Sequence, residues 1–137
     1  MGARATITIY QSGCFPAAPL NLYTHWGGDS ICETLANGLA KAKEAGRLND
    51  DPYATRIIFD TLTNLDGGTT GFGIIVGDHD DVNYVCPVVL WEHPDAVTHG
   101  WEFTAGEPIV VYGEMVMSAS AFIELFADKS VGEVVVA

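Results

Sequence analysis

Apolar and polar positions alternate at the start of the chain. Ala5 to Tyr10 runs Ala-Thr-Ile-Thr-Ile-Tyr, which predicts a strand with Ile7 and Ile9 on one face. Gly13, Pro16 and Pro19 then interrupt the pattern with turn chemistry. Alternation resumes from Leu20 to His25, with Leu20, Leu22 and Thr24 on one face and Tyr23 and His25 on the other. The two runs predict a hairpin. Trp26-Gly27-Gly28-Asp29 ends the second strand, and Ser30 stands three residues before Glu33, the spacing of a capping box. From there the period lengthens. Ile31, Leu35, Leu39 and Ala42 fall on one side of a helix predicted over 31–45, with Gly46 as its stop. Asp51-Pro52 predicts a second helix start, with Asp51 as cap, and Tyr53, Ile57, Ile58, Thr61, Leu62 and Leu65 form its apolar stripe.

The later part of the chain is β-rich. Strands are predicted at 72–76, at 82–91 with Pro87 forcing a bulge or an edge position, at 101–104, at 109–112 and at 131–136. A third helix is predicted over 118–129, with Phe122, Leu125 and Phe126 apolar. No repeat, linker or low-complexity tract divides the chain. The pattern predicts one α+β domain over residues 1–137, a mostly antiparallel sheet with two or three helices.

Composition agrees with a packed domain. The chain has 137 residues, 48% of them hydrophobic and 18% charged. That balance excludes a disordered tail, and the length allows a sizeable core without disulfide or metal. No apolar run approaches the length of a spanning helix, and Met1 to Tyr10 lacks the pattern of a signal peptide. Cys14, Cys32 and Cys86 are an odd, widely spaced set, which fits reduced thiols in a cytoplasmic protein. Cys86, in an apolar run, is expected in the core.

Charge narrows the partners. Six Lys and Arg face 18 Asp and Glu, a net charge of −12. Such a field opposes direct nucleic-acid binding and anionic membranes. All of the excess lies after residue 47, where 15 acids face two bases. It serves solubility, and it would also suit a surface that docks on a basic partner or mimics DNA.

Three groups could carry chemistry. His25, Trp26, Gly27, Gly28 and Asp29 join a strand end to a helix start, where free N–H groups and glycines let a ligand approach the backbone. His25 could exchange a proton and Trp26 could stack on a flat ligand. Arg4, Tyr23 and Tyr84 complete the candidate ligand-binding set, and Arg4 could instead pair with Asp29. The plain structural role of this stretch is a helix entry, with Trp26 in the core and Asp29 or Ser30 as cap. Asp78, His79, Asp80 and Asp81 place three carboxylates and an imidazole in one turn, a weak metal candidate without the EF-hand spacing. His93 and His99 match no zinc signature. No nucleophile-elbow or zincin motif is present, so no catalytic residue and no cofactor are assigned.

Two stretches carry a family resemblance. Arg4-Ala5-Thr6-Ile7-Thr8 with Tyr23-Thr24-His25-Trp26-Gly27-Gly28-Asp29, and Gly77-Asp78-His79-Asp80-Asp81-Val82-Asn83-Tyr84, resemble a loose group of small phage and prophage proteins. That group has an Arg-Ala-x-Ile start, a Tyr-x-His-x-Asp-Gly element and a later Gly-Asp-x-Glu-Tyr-like hairpin. The likeness covers roughly the first 90 residues. This chain departs from it at Trp26-Gly27-Gly28-Asp29, where the group has an Asp-Gly turn, and at Asn83, where an acid is common. The resemblance implies a phage setting, in which small accessory proteins bind host factors in the host cytoplasm. The expectation is therefore a non-enzymatic protein that binds a host protein. A small-molecule pocket or hydrolase around 25–29, and an acidic DNA mimic, are the alternatives. Trp26, Trp91 and Trp101 would suit a homo-oligomeric interface.

Overall fold

The computed structural model describes residues 3–64, 71–77, 82, 84–91 and 107–127. The elements are β1 (Ala5–Tyr10), β2 (Leu20–Thr24), α1 (Ile31–Glu44), α2 (Asp51–Thr63), β3 (Phe72–Val76), β4 (Val88–Leu90), β5 (Ile109–Tyr112), β6 (Met115–Ser118) and α3 (Ala119–Phe126). The six strands form one sheet in the order β3-β2-β1-β4-β5-β6. Every neighbouring pair is antiparallel except β1 with β4, which run parallel with Thr8 opposite Val88. The α+β architecture expected from the sequence is the one observed.

Alternation decides which face is buried. Ile7 opposite Leu22 and Ile9 opposite Leu20 point to one side of the sheet, and Val89 and Val110 continue that side across β4 and β5. Leu35, Ala36, Leu39 and Ala42 of α1, Ile58 and Leu62 of α2, and Phe122 of α3 pack on it in a single core. Each fully buried Leu, Ile or Phe contributes on the order of 1.5–3 kcal/mol. α1 lies centrally between α2 and α3. Gly38 lets α2 approach α1 closely, since a Cβ there would sit 3.0 Å from the Cα of Ile58. The helix layer stops short of the β3 edge, so Ile74 is 55% and Val76 81% exposed although both lie on the helical side.

On the opposite face Leu90 and Ile109 form a smaller cluster with Tyr10, Phe15 and Val111. Nearby, the buried Asn21 accepts from the Thr8 hydroxyl at 2.6 Å and donates to the Gly77 carbonyl at 2.5 Å.

Several expectations need correction. The strand predicted over 82–91 is short, because Pro87 has no N–H for a ladder. Pro87 is neither bulged nor at an edge; it stands at the entrance of the central strand β4, where its carbonyl accepts from Thr8 N–H at 3.0 Å. One step earlier the Cys86 sulfur, half-buried, accepts from Thr6 N–H at 3.3 Å. β6 was not foreseen; Met115–Ser118 alternates too briefly to stand out, and pairing with β5 defines it. The capping box is not formed: the Ser30 side chain makes no cap bond, and its hydroxyl lies 3.5 Å from the Gly27 carbonyl. Asp51 does not cap α2 either. It is the first residue of that helix, and its carboxylate accepts from Ser12 N–H at 2.7 Å. Trp91 is a core residue and does not face an interface: it is 2% exposed, and its indole N–H donates to the Leu48 carbonyl at 3.0 Å. The strands predicted at 101–104 and 131–136, Trp101, and the ends of the helices predicted beyond 64 and 127 lie outside the described residues. Among the described residues no helix is long and apolar enough to cross a membrane.

Candidate functional site

Gly27, Gly28, Asp29 and Ser30 carry the chain from β2 into α1. The Thr24 hydroxyl accepts from Gly27 N–H at 3.0 Å, and Gly28 N–H donates to the Ala3 carbonyl at 2.8 Å. These bonds fix a single 3-10 turn at Gly28–Ser30 and set the first turn of α1 beside the start of β1. The last turn of α3, with Leu125 and Phe126, closes toward the same place, as does Tyr112 at the end of β5. Between them lies an open cavity of about 460 Å³, lined by Gly28, Asp29, Ser30, Ile31, Cys32, Glu33, Tyr84, Val85, Tyr112, Leu125 and Phe126.

The walls differ in chemistry. Ile31, Val85, Leu125 and the rings of Tyr84, Tyr112 and Phe126 give the apolar and aromatic part of the lining, and Gly28, Asp29, Ser30 and Glu33 give the polar part. Phe126 stacks with Phe122 at 4.6 Å between centroids and meets the edge of Tyr112 at 6.1 Å. Asp29 and Glu33 are exposed on the rim. Among the described lining residues there is no Lys, Arg or His. The Cys32 and Tyr112 side chains interact. Burial pushes the Cys32 thiol above its ordinary value, the Tyr112 side chain offsets part of that, and Cys86 nearby adds to the rise. The same interaction, with the negative charge Cys32 would carry, pushes Tyr112 up. Both are therefore neutral near pH 7, and Cys32 is a poor nucleophile there.

The residues singled out from the sequence divide into two places. Gly28, Asp29 and Tyr84 line the cavity. Arg4, Tyr23, His25, Trp26 and Gly27 do not. Tyr23 faces the side away from the helices, opposite Thr6, and its hydroxyl meets His25 Nδ1 at 2.9 Å. Trp26 is not a core residue. It is 55% exposed, against the edge of His25 and over Gly71, because the Gly27 turn swings it out of the sheet. Asp78, His79, Asp80 and Asp81 lie outside the described residues, as do His93 and His99. Among the described residues no three His, Cys, Asp or Glu side chains gather to hold a metal. Sequence reading missed Cys32, Tyr112, Leu125 and Phe126; each looked like one more position of an apolar stripe or strand. No protein-family model matches the chain, and no curated protein or solved structure matches it significantly.

Proposed function

We propose that this protein binds a small molecule in the cavity between the first turn of α1 and the last turn of α3. The observation that supports the reading is the convergence there of Gly28 and Asp29 with Tyr84, Tyr112 and Phe126, which come from four separate parts of the chain. The volume of about 460 Å³ lies in the range of small-ligand sites, and the lining mixes polar with apolar and aromatic surface. Burial holds the Cys32 thiol neutral there, and the reading is one of binding. Native mass spectrometry of the protein captured from lysate tests it. A retained small mass that Tyr84→Ala releases, and that the remote α2 variant Tyr53→Ala keeps, supports the reading. Equal retention by both variants, or none by the unaltered protein, overturns it.

A second reading rests on β3. Its outer edge has no strand partner among the described residues, and Ile74, Val76 and Trp26 are exposed along it. An extended segment of another protein could add to such an edge. This is the form in which the phage-type, host-binding expectation would be realised. A Val76→Lys variant that loses a stoichiometric partner in pull-downs supports it; an unchanged partner removes β3 from consideration.

A further inference from the structure

Resting on the cavity reading above, we infer that the ligand is an organic cation, an amine or quaternary ammonium with an apolar body. Two opposing fields meet at the mouth. The N-terminal end of the α1 dipole contributes roughly half a positive charge. Asp29 and Glu33 stand in that same stretch and bring two formal negative charges. The sum is about −1.5 at the rim, so the carboxylates decide the sign. No basic side chain among the described lining residues offsets them, and the whole chain, at −12, adds to the attraction.

Below the rim, the walls suit the rest of such a molecule. Tyr84, Tyr112 and Phe126 offer aromatic rings, whose faces attract cations once water is displaced. Tyr112 and Cys32 are both pushed up in pKa, so they remain a neutral phenol and a neutral thiol. Ile31, Val85 and Leu125 take up methylene or methyl groups. An anion would meet two carboxylates, and a neutral ligand would gain at most a hydrogen bond from them. The open cavity thus combines exposed carboxylates with partly exposed aromatic and aliphatic walls, an arrangement that favours a positively charged, partly apolar guest.

Three molecules of nearly the same shape separate charge from fit: choline, its neutral carbon analogue 3,3-dimethylbutan-1-ol, and the anion 3,3-dimethylbutanoate. Each is titrated into the full chain while the methyl resonances of Ile31, Val85 and Leu125 are followed. Choline is expected to shift all three and to bind at least tenfold more tightly than the alcohol, about 1.4 kcal/mol, with the acid weakest. In the Asp29→Asn/Glu33→Gln double variant choline should fall to the level of the alcohol, whose own affinity stays unchanged. Equal or tighter binding of the alcohol or the acid at the same methyls overturns the cation inference and leaves the cavity reading standing. Undiminished choline binding by the double variant also overturns it. If none of the three shifts these methyls, the inference and the cavity reading fall together.

Discussion

Gly28 and Tyr84 leave no room for a side chain between them: a Cβ on Gly28 would stand 2.6 Å from Cδ2 of the Tyr84 ring and 2.5 Å from the Ala3 carbonyl oxygen. The ring can turn aside, but the carbonyl belongs to the backbone leading into β1. Gly28→Ala must therefore shift that backbone or the turn itself. The expected cost is about 1–3 kcal/mol, the usual range for overpacking. Thermal unfolding checks the stability. A small-ligand titration checks the second expectation, that the cavity loses affinity because Tyr84 is displaced from its wall.

Trp91 ties the sheet to the segment between α1 and α2. Trp91→Phe keeps most of the packing but leaves the Leu48 carbonyl, now bonded at 3.0 Å, without its donor. A loss of about 1–3 kcal/mol is expected in denaturant unfolding, the penalty for a buried group left unsatisfied. Trp91→Ala should cost about 3–5 kcal/mol.

Trp26 makes the opposite prediction. Lying exposed over Gly71, it supports little of the core. Trp26→Ala is expected to change stability by less than about 0.5 kcal/mol. It should also remove tryptophan emission that acrylamide quenches, which Trp91→Phe should not. A large destabilisation would show that the indole holds the β2–α1 turn in place.

The Cys32 thiol gives a pH dependence with a definite sign. Its folded pKa is raised above the ordinary 9.0, so the unfolded chain releases that proton first as pH rises. The stabilisation is fully present below pH 9.0 and is lost as pH climbs through the higher folded value. Tyr112 acts in the same direction from its ordinary 10.0. Unfolding midpoints should therefore fall above pH 9, and Cys32→Ala should flatten the fall. Alkylation of Cys32 in the folded protein should likewise have its midpoint above 9.0.

The fold was more legible than the site, for a physical reason. Ile7, Ile9, Leu20 and Leu22 show the β1–β2 hairpin because a half-buried strand imposes a period of two. Ile31, Leu35 and Leu39 show α1 in the same way through a period near four. Pro87 was visible too, but its consequence depended on what lay alongside: Thr8 on β1 supplies the partner that makes it the start of a central strand. The cavity left no such trace. Its walls come from four places, and each wall residue also fits an ordinary pattern, Tyr112 a strand and Phe126 a helix stripe. The 25–29 stretch stands out in the sequence for its glycines. Only Gly28 and Asp29 turn toward the cavity, because the turn at Gly27 sends Trp26 outward and Tyr23 holds His25 on the other face.

The parallel seam between β1 and β4 bears on how the chain comes off the ribosome. β1, β2, α1 and α2 can meet as soon as they emerge, and β5 with β6 is a local hairpin. The seam must wait, since Thr6 and Cys86 are separated by 80 residues. At cellular rates of translation that is a delay of roughly 4–16 s. Throughout that interval β1, the centre of the finished sheet, has one bare edge facing whatever else is nearby. The strand that ends up most protected is thus the one exposed longest during synthesis.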